Sequence, residues 1–144
     1  MVDIRIAYPG QLRCEATHGP SGSTLHTDAP VDNHGRGETF SPTDLVATAL
    51  GTCMVTVMGI QANQRGWHID GVNIHVKKLM TAQLPRRIAR LEVSFDVPDA
   101  VADALDGDAR AALEHTAHHC PVRLSLLGAI EVPVSFSWGG GGAG

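Results

Sequence analysis

Residues 41–60 read SPTDLVATALGTCMVTVMGI, and this stretch decides the fold. Ser41 is a typical N-cap residue, and Pro42 suits the first helical position because proline lacks the N–H that a helix leaves unpaired there. Asp44 stands where its carboxylate can accept the N–H of the cap residue. A helix is therefore predicted to begin here. Residues 45–60 carry no charge on any face, which is typical of a helix buried in a core or a membrane.

The uncharged stretch 45–60 is shorter than the ~20 residues that a membrane span needs, so a protein core is the better interpretation. The chain of 144 residues is 43% hydrophobic and 18% charged, as a soluble globular domain is. A long helix without a polar face is difficult to bury in so short a chain, and a partner subunit would solve this. The net charge of −4 gives no field that attracts phosphates. We expect neither a membrane nor a nucleic acid as partner.

Alternating and helical patterns on both sides of this helix predict an α+β domain over 1–138. Strands are predicted near 4–8, 12–16, 25–28, 72–76, 89–97 and 132–138. An amphipathic helix is predicted over 97–119, with Asp99 as a cap at its start and a weak point at Gly107, and a short helix over 121–127. Residues 28–40 are predicted to form a loop. Pro133 suggests an edge strand or a bulge. The Gly-rich residues 139–144 are expected to form a flexible tail.

The chain contains three cysteines. Its first residues, MVDIRIAYPG, lack the basic run, the apolar stretch and the cleavage site of a secretory signal, so we expect a cytoplasmic protein with reduced thiols. Cys14 is in phase with Leu12 and Ala16, which places it in a core. Cys53 lies within the apolar helix, where a free cysteine most often packs as a small hydrophobic residue.

Cys120 lies within HTAHHCPVRLSLL, residues 115–127, and precedes a proline that can open a helix. As the N-cap residue, its sulfur would lie against unpaired N–H groups and the positive end of the helix dipole, which favours the thiolate. If Cys53 and Cys120 meet, a peroxide can oxidise one to a sulfenic acid and the other can resolve it as a disulfide. The spacing along the chain leaves that meeting open.

The eight histidines raise the question of a metal site. His115 and His119 are four positions apart and can share a helix face, but neither CxxC nor HExxH occurs. We expect no metal and no bound cofactor. Charged residues that could activate or orient a thiol are Arg13, Arg36, Arg123, Glu38 and Asp44. Of these, Asp44 already has a sufficient role as a capping residue.

SPTDLVATALGTCM (41–54) and HHCPVRLSL (118–126) together resemble the OsmC/Ohr family of thiol peroxidases, and the order of strands and helices agrees from about Gln11 to Trp138. The resemblance implies an OsmC-like fold. Family members form an intertwined homodimer, in which central buried helices are wrapped by antiparallel sheets. Such an assembly would explain the helix without a polar face.

By the same resemblance, Cys53 is the peroxidatic cysteine and Cys120 is the resolving cysteine. The position of Cys120 at a helix N-terminus, in contrast, predicts that Cys120 forms a thiolate more readily than Cys53. The implied substrates are organic hydroperoxides, and the implied reductant is a dithiol, often on a lipoylated protein. In the family, an N-terminal Arg activates the first cysteine and is held by a Glu directly after the helix-opening Pro. Here Thr43 follows Pro42, which favours the general OsmC-like branch. Arg13 or Arg36 and Glu38 are the candidate substitutes.

An alternative from a different functional class stays open. The same fold could bind a small hydrophobic ligand in an apolar cleft of the dimer. The cysteines would then be vestigial or would only sense the redox state. The response of the thiols to an organic hydroperoxide distinguishes this binding protein from the enzyme.

Overall fold

The computed structural model describes residues 1–140, so 141–144 of the predicted tail lie outside the described residues. The described chain divides into two compact units, Met1–Val46 and a second that begins at Ala47, where the sequence predicted one domain over 1–138. The first glycines of the predicted tail are hydrogen-bonded. Gly139 N–H donates to the carbonyl oxygen of Val97 at 2.9 Å, and Gly140 N–H donates to Asp99 Oδ1 at 2.9 Å.

The first unit contains a three-stranded antiparallel sheet. Its strands are β1 (Ile4–Gly10), β2 (Arg13–His18) and β3 (Thr24–Asp28), in that order across the sheet. The strands predicted near 4–8 and 12–16 are therefore confirmed, and they pair as a hairpin. Gln11 and Leu12 form its turn with positive φ angles of 58° and 62°, so Leu12 is not a strand residue. The predicted loop follows β3 and contains one short 3-10 turn, Val31–Asn33.

One face of this sheet is apolar and uncovered in the single chain. The side chains of Ile4, Ile6 and Tyr8 are 61%, 69% and 62% exposed. Ile6 lies opposite Ala16 in the ladder between β1 and β2. Cys14, which the alternation placed in a core, is only half-buried. The alternating pattern predicted correctly which residues share this face of the sheet. It predicted more burial of their side chains than a single chain provides.

Helix α1 (Pro42–Arg65) begins with the predicted capping box. Ser41 N–H donates to Asp44 Oδ2 at 2.9 Å, and Asp44 N–H donates to Ser41 Oγ at 3.1 Å. These two bonds satisfy donors that the first turn would otherwise leave unpaired. The role of Asp44 in the first unit is therefore that of a cap. Helix α1 ends before Gly66, whose φ of 73° lies in the left-handed region that glycine adopts without a steric cost.

Helix α1 has one buried face and one exposed, uncharged face. The buried stripe consists of Ala47, Leu50, Gly51, Met54, Met58 and Ala62. At Gly51 the helix approaches Val76 so closely that an added Cβ would lie 2.9 Å from Val76 Cγ2. The exposed residues within 48–60 are Thr48, Ala49, Thr52, Thr56 and Ile60. By length and composition α1 could also cross a membrane, and 33% of its most apolar window is buried in the single chain.

The second unit contains a sheet of β4 (Asn73–Met80), β5 (Ile88–Val97) and β6 (Val134–Trp138), in the order β4-β5-β6. Strands β4 and β5 pair antiparallel, whereas β5 and β6 pair parallel. The parallel pair departs from the antiparallel sheets that the resemblance implied. Strand β6 is an edge strand that follows Pro133, as the proline suggested. Alternate side chains of β5 form the core of this unit, namely Leu91, Val93, Phe95 and Val97.

The predicted amphipathic helix is two helices, α2 (Asp99–Asp103) and α3 (Gly107–His118). Asp106 caps α3, since its Oδ1 accepts the N–H of Ala109 at 2.8 Å. The prediction that Asp99 caps the first of them is wrong, because Pro98 is the N-cap residue of α2. The short helix α4 (Pro121–Leu126) begins at its predicted proline.

Candidate active site

Cys120 is the N-cap residue of α4, as the sequence predicted. Its backbone is extended, with φ −65° and ψ 146°, and its Sγ accepts the N–H of Arg123 at 3.3 Å. The residue is fully buried, with a relative exposure of 0%. The sulfur therefore lies at a helix N-terminus and away from water.

Cys53 lies in α1, next to the fully buried Met54, and is itself half-buried. Its side chain lies close enough to the Cys120 thiol to act on the pKa of that thiol. Both residues are free thiols. The fold thus brings together the two cysteines that the sequence singled out.

Two opposing effects act on the Cys120 thiol. Burial raises its pKa and is the largest effect, while the N–H groups of Arg123 and Val122 lower it. The neighbouring Cys53 raises the pKa further. The expectation that the helix N-terminus makes Cys120 the better thiolate is therefore wrong. Removal from water outweighs the helix N–H groups, so Cys120 is suited to donate an S–H to the sulfur of Cys53.

Hydrogen bonds connect the three helices around the thiols, α1, α3 and α4. Thr116 Oγ1 in α3 donates to Gln61 Oε1 in α1 at 2.6 Å. The Nη1 of Arg123 in α4 donates to the carbonyl oxygen of His118, the last residue of α3, at 2.9 Å. These bonds join the helix that carries Cys53 to the corner that carries Cys120.

The histidines before Cys120 bond mainly to their own helix. The Nδ1 of His118 lies 2.7 Å from the carbonyl oxygen of Glu114, and the Nδ1 of His119 lies 2.7 Å from that of His115. The rings of His115 and His119 face each other with centroids 4.2 Å apart. Within residues 1–140, no group of three or more His, Cys, Asp or Glu side chains is arranged to hold a metal.

In the first unit, the candidate charged residues form a cluster. Arg13 binds Glu38 and also donates from Nη2 to Asp28 Oδ2 at 3.3 Å. Arg36 Nη1 lies 3.9 Å from the second Glu38 oxygen. Asp28 was not among the predicted residues, yet it lies directly opposite Arg13 in the pairing of β2 and β3. Opposite charges at facing positions of the predicted strands are the signal that could have identified it.

Asp28 is the buried member of this cluster, with 1% relative exposure. The backbone N–H of Glu38 lowers the pKa of Asp28 most, and the Arg13 guanidinium lowers it further, against the effect of burial. Its Oδ2 receives both donors, while its Oδ1 is buried without a hydrogen-bond partner among the described residues. Glu38 and Asp28 in turn raise the pKa of Arg13. Arg13 is thus a permanent cation held by two carboxylates.

Known proteins share this arrangement of elements. A family model described as OsmC-like protein matches residues 35–135. A structure from Psychrobacter arcticus, provisionally described as an osmotic stress induced and detoxification response protein, is 38% identical with a TM-score of 0.86, and the match covers 95% of this chain and 96% of that one. No match was found among curated proteins.

More distant structures share the fold alone. The organic hydroperoxide resistance protein OsmC of Legionella pneumophila is 17% identical, with a TM-score of 0.73 and coverage of 95% and 96% of the two chains. The organic hydroperoxide resistance protein OhrB of Bacillus subtilis is also 17% identical, with a TM-score of 0.68 and coverage of 95% and 98%. The family model spans most of the chain, and the Psychrobacter structure matches nearly all of it. The chain is therefore a member of the OsmC-like family.

Proposed function

We propose that this protein reduces organic hydroperoxides with Cys53 and Cys120. The observation that carries the proposal is the proximity of the two thiols, which come from separate helices and of which Cys53 raises the pKa of Cys120. A thiol pair in contact can store two electrons and release them as a disulfide. Two relatives of the same fold are described as organic hydroperoxide resistance proteins.

The reaction uses two steps. The Cys53 thiolate attacks the terminal oxygen of the hydroperoxide, and the O–O bond breaks. The alkoxide that leaves takes up the proton that Cys53 lost on ionisation and departs as the alcohol. Cys53 is then a sulfenic acid. The Cys120 sulfur displaces the hydroxyl group, a disulfide forms, and water leaves. A dithiol reductant returns both sulfurs to thiols, and we propose a lipoylated protein as its source.

The order of attack follows from burial. Cys120 is fully buried and its pKa is raised, so it stays a thiol and is hidden from a substrate. Cys53 is half-buried and is therefore the more accessible of the two thiols. These differences support Cys53 as the peroxidatic residue and Cys120 as the resolving residue. The uncharged side chains beside Cys53 in α1, such as Thr52 and Val57, favour an organic rather than an ionic substrate.

We propose Arg13 as the cation that activates Cys53, and Glu38 as the acid that orients it. The support comes from the cluster of the first unit. Arg13 is held by two carboxylates, whereas Arg36 only approaches Glu38 at 3.9 Å. A guanidinium held by two acids presents a fixed charge, which a freely moving side chain does not.

We also propose a cytoplasmic homodimer. Two uncharged surfaces are exposed in the single chain, the β1 face with Ile4, Ile6 and Tyr8, and the α1 face with Thr56 and Ile60. A second copy that covers them would remove both from water. Sedimentation at micromolar concentration should therefore show no stable monomer.

Titration of the reduced protein with cumene hydroperoxide tests the proposal. We expect two thiols per chain to be lost at one equivalent, and hydrogen peroxide to react more slowly. Cys53→Ser should abolish the loss, and Cys120→Ser should leave a sulfenic acid on Cys53. Cys14→Ser is the matched control, because it should change nothing. If the thiols do not react with cumene hydroperoxide while an apolar ligand raises the Tm, the chain is a binding protein for a small hydrophobic ligand instead.

A further inference from the structure

Arg123 connects the two helices at the corner that carries Cys120. Its backbone N–H donates to Cys120 Sγ at 3.3 Å, and its Nη1 donates to the carbonyl oxygen of His118 at 2.9 Å. Cys120 is the N-cap residue of α4, and His118 is the last residue of α3. The main chain of Arg123 therefore contacts the Cys120 sulfur, and its side chain contacts the end of α3.

The bond to His118 has a physical reason at this place. The last carbonyl groups of a helix have no N–H partner within the helix, and they carry its partial negative charge. The guanidinium of Arg123 pairs with one of them and adds a positive charge beside it. The bond therefore adds a link between the end of α3 and the first turn of α4, which Cys120 caps.

Stability alone does not explain the choice of an arginine here. The Arg123 Nε is buried and has no hydrogen-bond partner among the described residues. A buried donor without a partner costs stability, and such a group calls for an explanation.

We infer that Arg123 is a positioning residue for the resolving step, because it keeps the Cys120 sulfur directed at Cys53. This inference rests on the proposed function. In that step the S–S bond forms and the S–O bond of the Cys53 sulfenic acid breaks. The hydroxyl group leaves with the proton of Cys120 as water, so no further reactant is needed. Arg123 touches neither the peroxide nor the oxygen that leaves.

The test compares Arg123→Met with the wild type. Reduced protein receives one equivalent of cumene hydroperoxide, dimedone traps the sulfenic acid at set times, and mass spectrometry separates the sulfenic acid, disulfide and sulfinic acid forms. We expect the Cys53 sulfenic acid to form at the wild-type rate and the disulfide to close about tenfold more slowly, since small misplacements of reacting groups have effects of this size. Arg123→Lys should restore part of the rate, because lysine can still donate to the His118 carbonyl.

Arg65→Met at the end of α1 is the matched control and should close the disulfide at the wild-type rate. Circular dichroism at the assay temperature shows whether each variant is folded, and Arg123→Lys serves if Arg123→Met is not. Closure at the wild-type rate in Arg123→Met, or an equal slowing of both steps, would overturn the inference.

A second oxidant separates this inference from the proposed function. Diamide closes a dithiol to a disulfide without a peroxide and without a sulfenic acid. If cumene hydroperoxide leaves the wild type reduced but diamide closes its disulfide, the peroxidase proposal fails. Slower closure by diamide in Arg123→Met would then still support the positioning role. Equal closure in both proteins would overturn it.

Discussion

The thiol of Cys120, at the N-terminus of α4, lies close enough to the side chain of Cys53 in α1 for Cys53 to raise its pKa. The two sulfurs differ in their surroundings, because Cys120 is fully buried and Cys53 is half-buried. A buried thiol donor beside a more accessible sulfur is the arrangement that a two-cysteine reaction with a defined order requires.

The raised pKa of Cys120 should be visible in its alkylation. In a Cys14→Ser, Cys53→Ser variant, Cys120 is the remaining thiol and its burial, the largest cause of the shift, is retained. We expect its reaction rate with iodoacetamide to keep rising with pH beyond about 8.5, the ordinary midpoint of a cysteine. The same variant unfolded in urea is the control and should show the ordinary midpoint. A midpoint below the ordinary value in the folded protein would mean that the helix N-terminus prevails over burial.

Exchange of single arginines should separate the two candidates for the activating cation. Arg13→Gln should lower the second-order rate of Cys53 with cumene hydroperoxide about tenfold, equivalent to ~1.4 kcal/mol of transition-state stabilisation. Arg36→Gln is the matched control and should leave the rate within about twofold, because its ion pair is long and exposed. Stopped-flow measurement of sulfenic acid formation gives both rates. Equal rates in the two variants would remove Arg13 from the proposed mechanism.

The contact between Gly51 and Val76 should make α1 sensitive to one added methyl group. In Gly51→Ala the new Cβ would lie 2.9 Å from Val76 Cγ2, on a stiff β-branched side chain. Overpacking costs ~1–3 kcal/mol, against a gain in helix propensity of about 1 kcal/mol. We therefore expect a net loss of up to ~2 kcal/mol in the free energy of unfolding, measured with urea.

Two further variants check this interpretation of Gly51. Gly107→Ala is the matched control, since an added Cβ there would meet open space, and it should cost nothing. Val76→Ala combined with Gly51→Ala should recover part of the loss, because the methyl group in the way is gone. If Gly51→Ala is as stable as the wild type, the helix lies further from β4 than the contact indicates.

Local rules predicted the parts of this fold that depend on neighbouring residues. The capping box of Ser41 and Asp44 and the start of α4 at Pro121 each need only a few adjacent residues, and both were confirmed. The break between α2 and α3 was missed, although Asp106 followed by Gly107 is a typical helix start. As a weak point inside one helix, Gly107 does not by itself predict this break.

Features that depend on distant residues could not be predicted from the chain itself. The meeting of Cys53 and Cys120 requires α1 and α4 to pack together, and no local pattern encodes that. The burial that raises the pKa of Cys120 is likewise a property of the packed core, whereas its position at a helix start is local. The sequence therefore predicted the lowering influence on this thiol and missed the stronger raising one. Parallel pairing of β6 with β5 has the same long-range origin.

The buried carboxylate of Asp28 should make stability depend on pH in the acid range. Its pKa in the folded chain is lowered by the Glu38 N–H and the Arg13 guanidinium, while in the unfolded chain it returns to about 4. The carboxylate therefore binds protons less readily when folded. Its contribution to stability is complete above the unfolded pKa and is lost as the pH falls through the folded pKa.

Asp28→Asn isolates this contribution, because asparagine has nearly the same shape and does not titrate. We expect the wild type to be more stable than the variant in urea unfolding between pH 5 and 7, by an amount that does not vary in this range, and the difference to shrink below about pH 4. Asp70→Asn, at an exposed position, is the control and should show no such trend. A difference between wild type and Asp28→Asn that stays constant down to pH 3 would show that Arg13 and the Glu38 N–H do not favour the ionised form of Asp28.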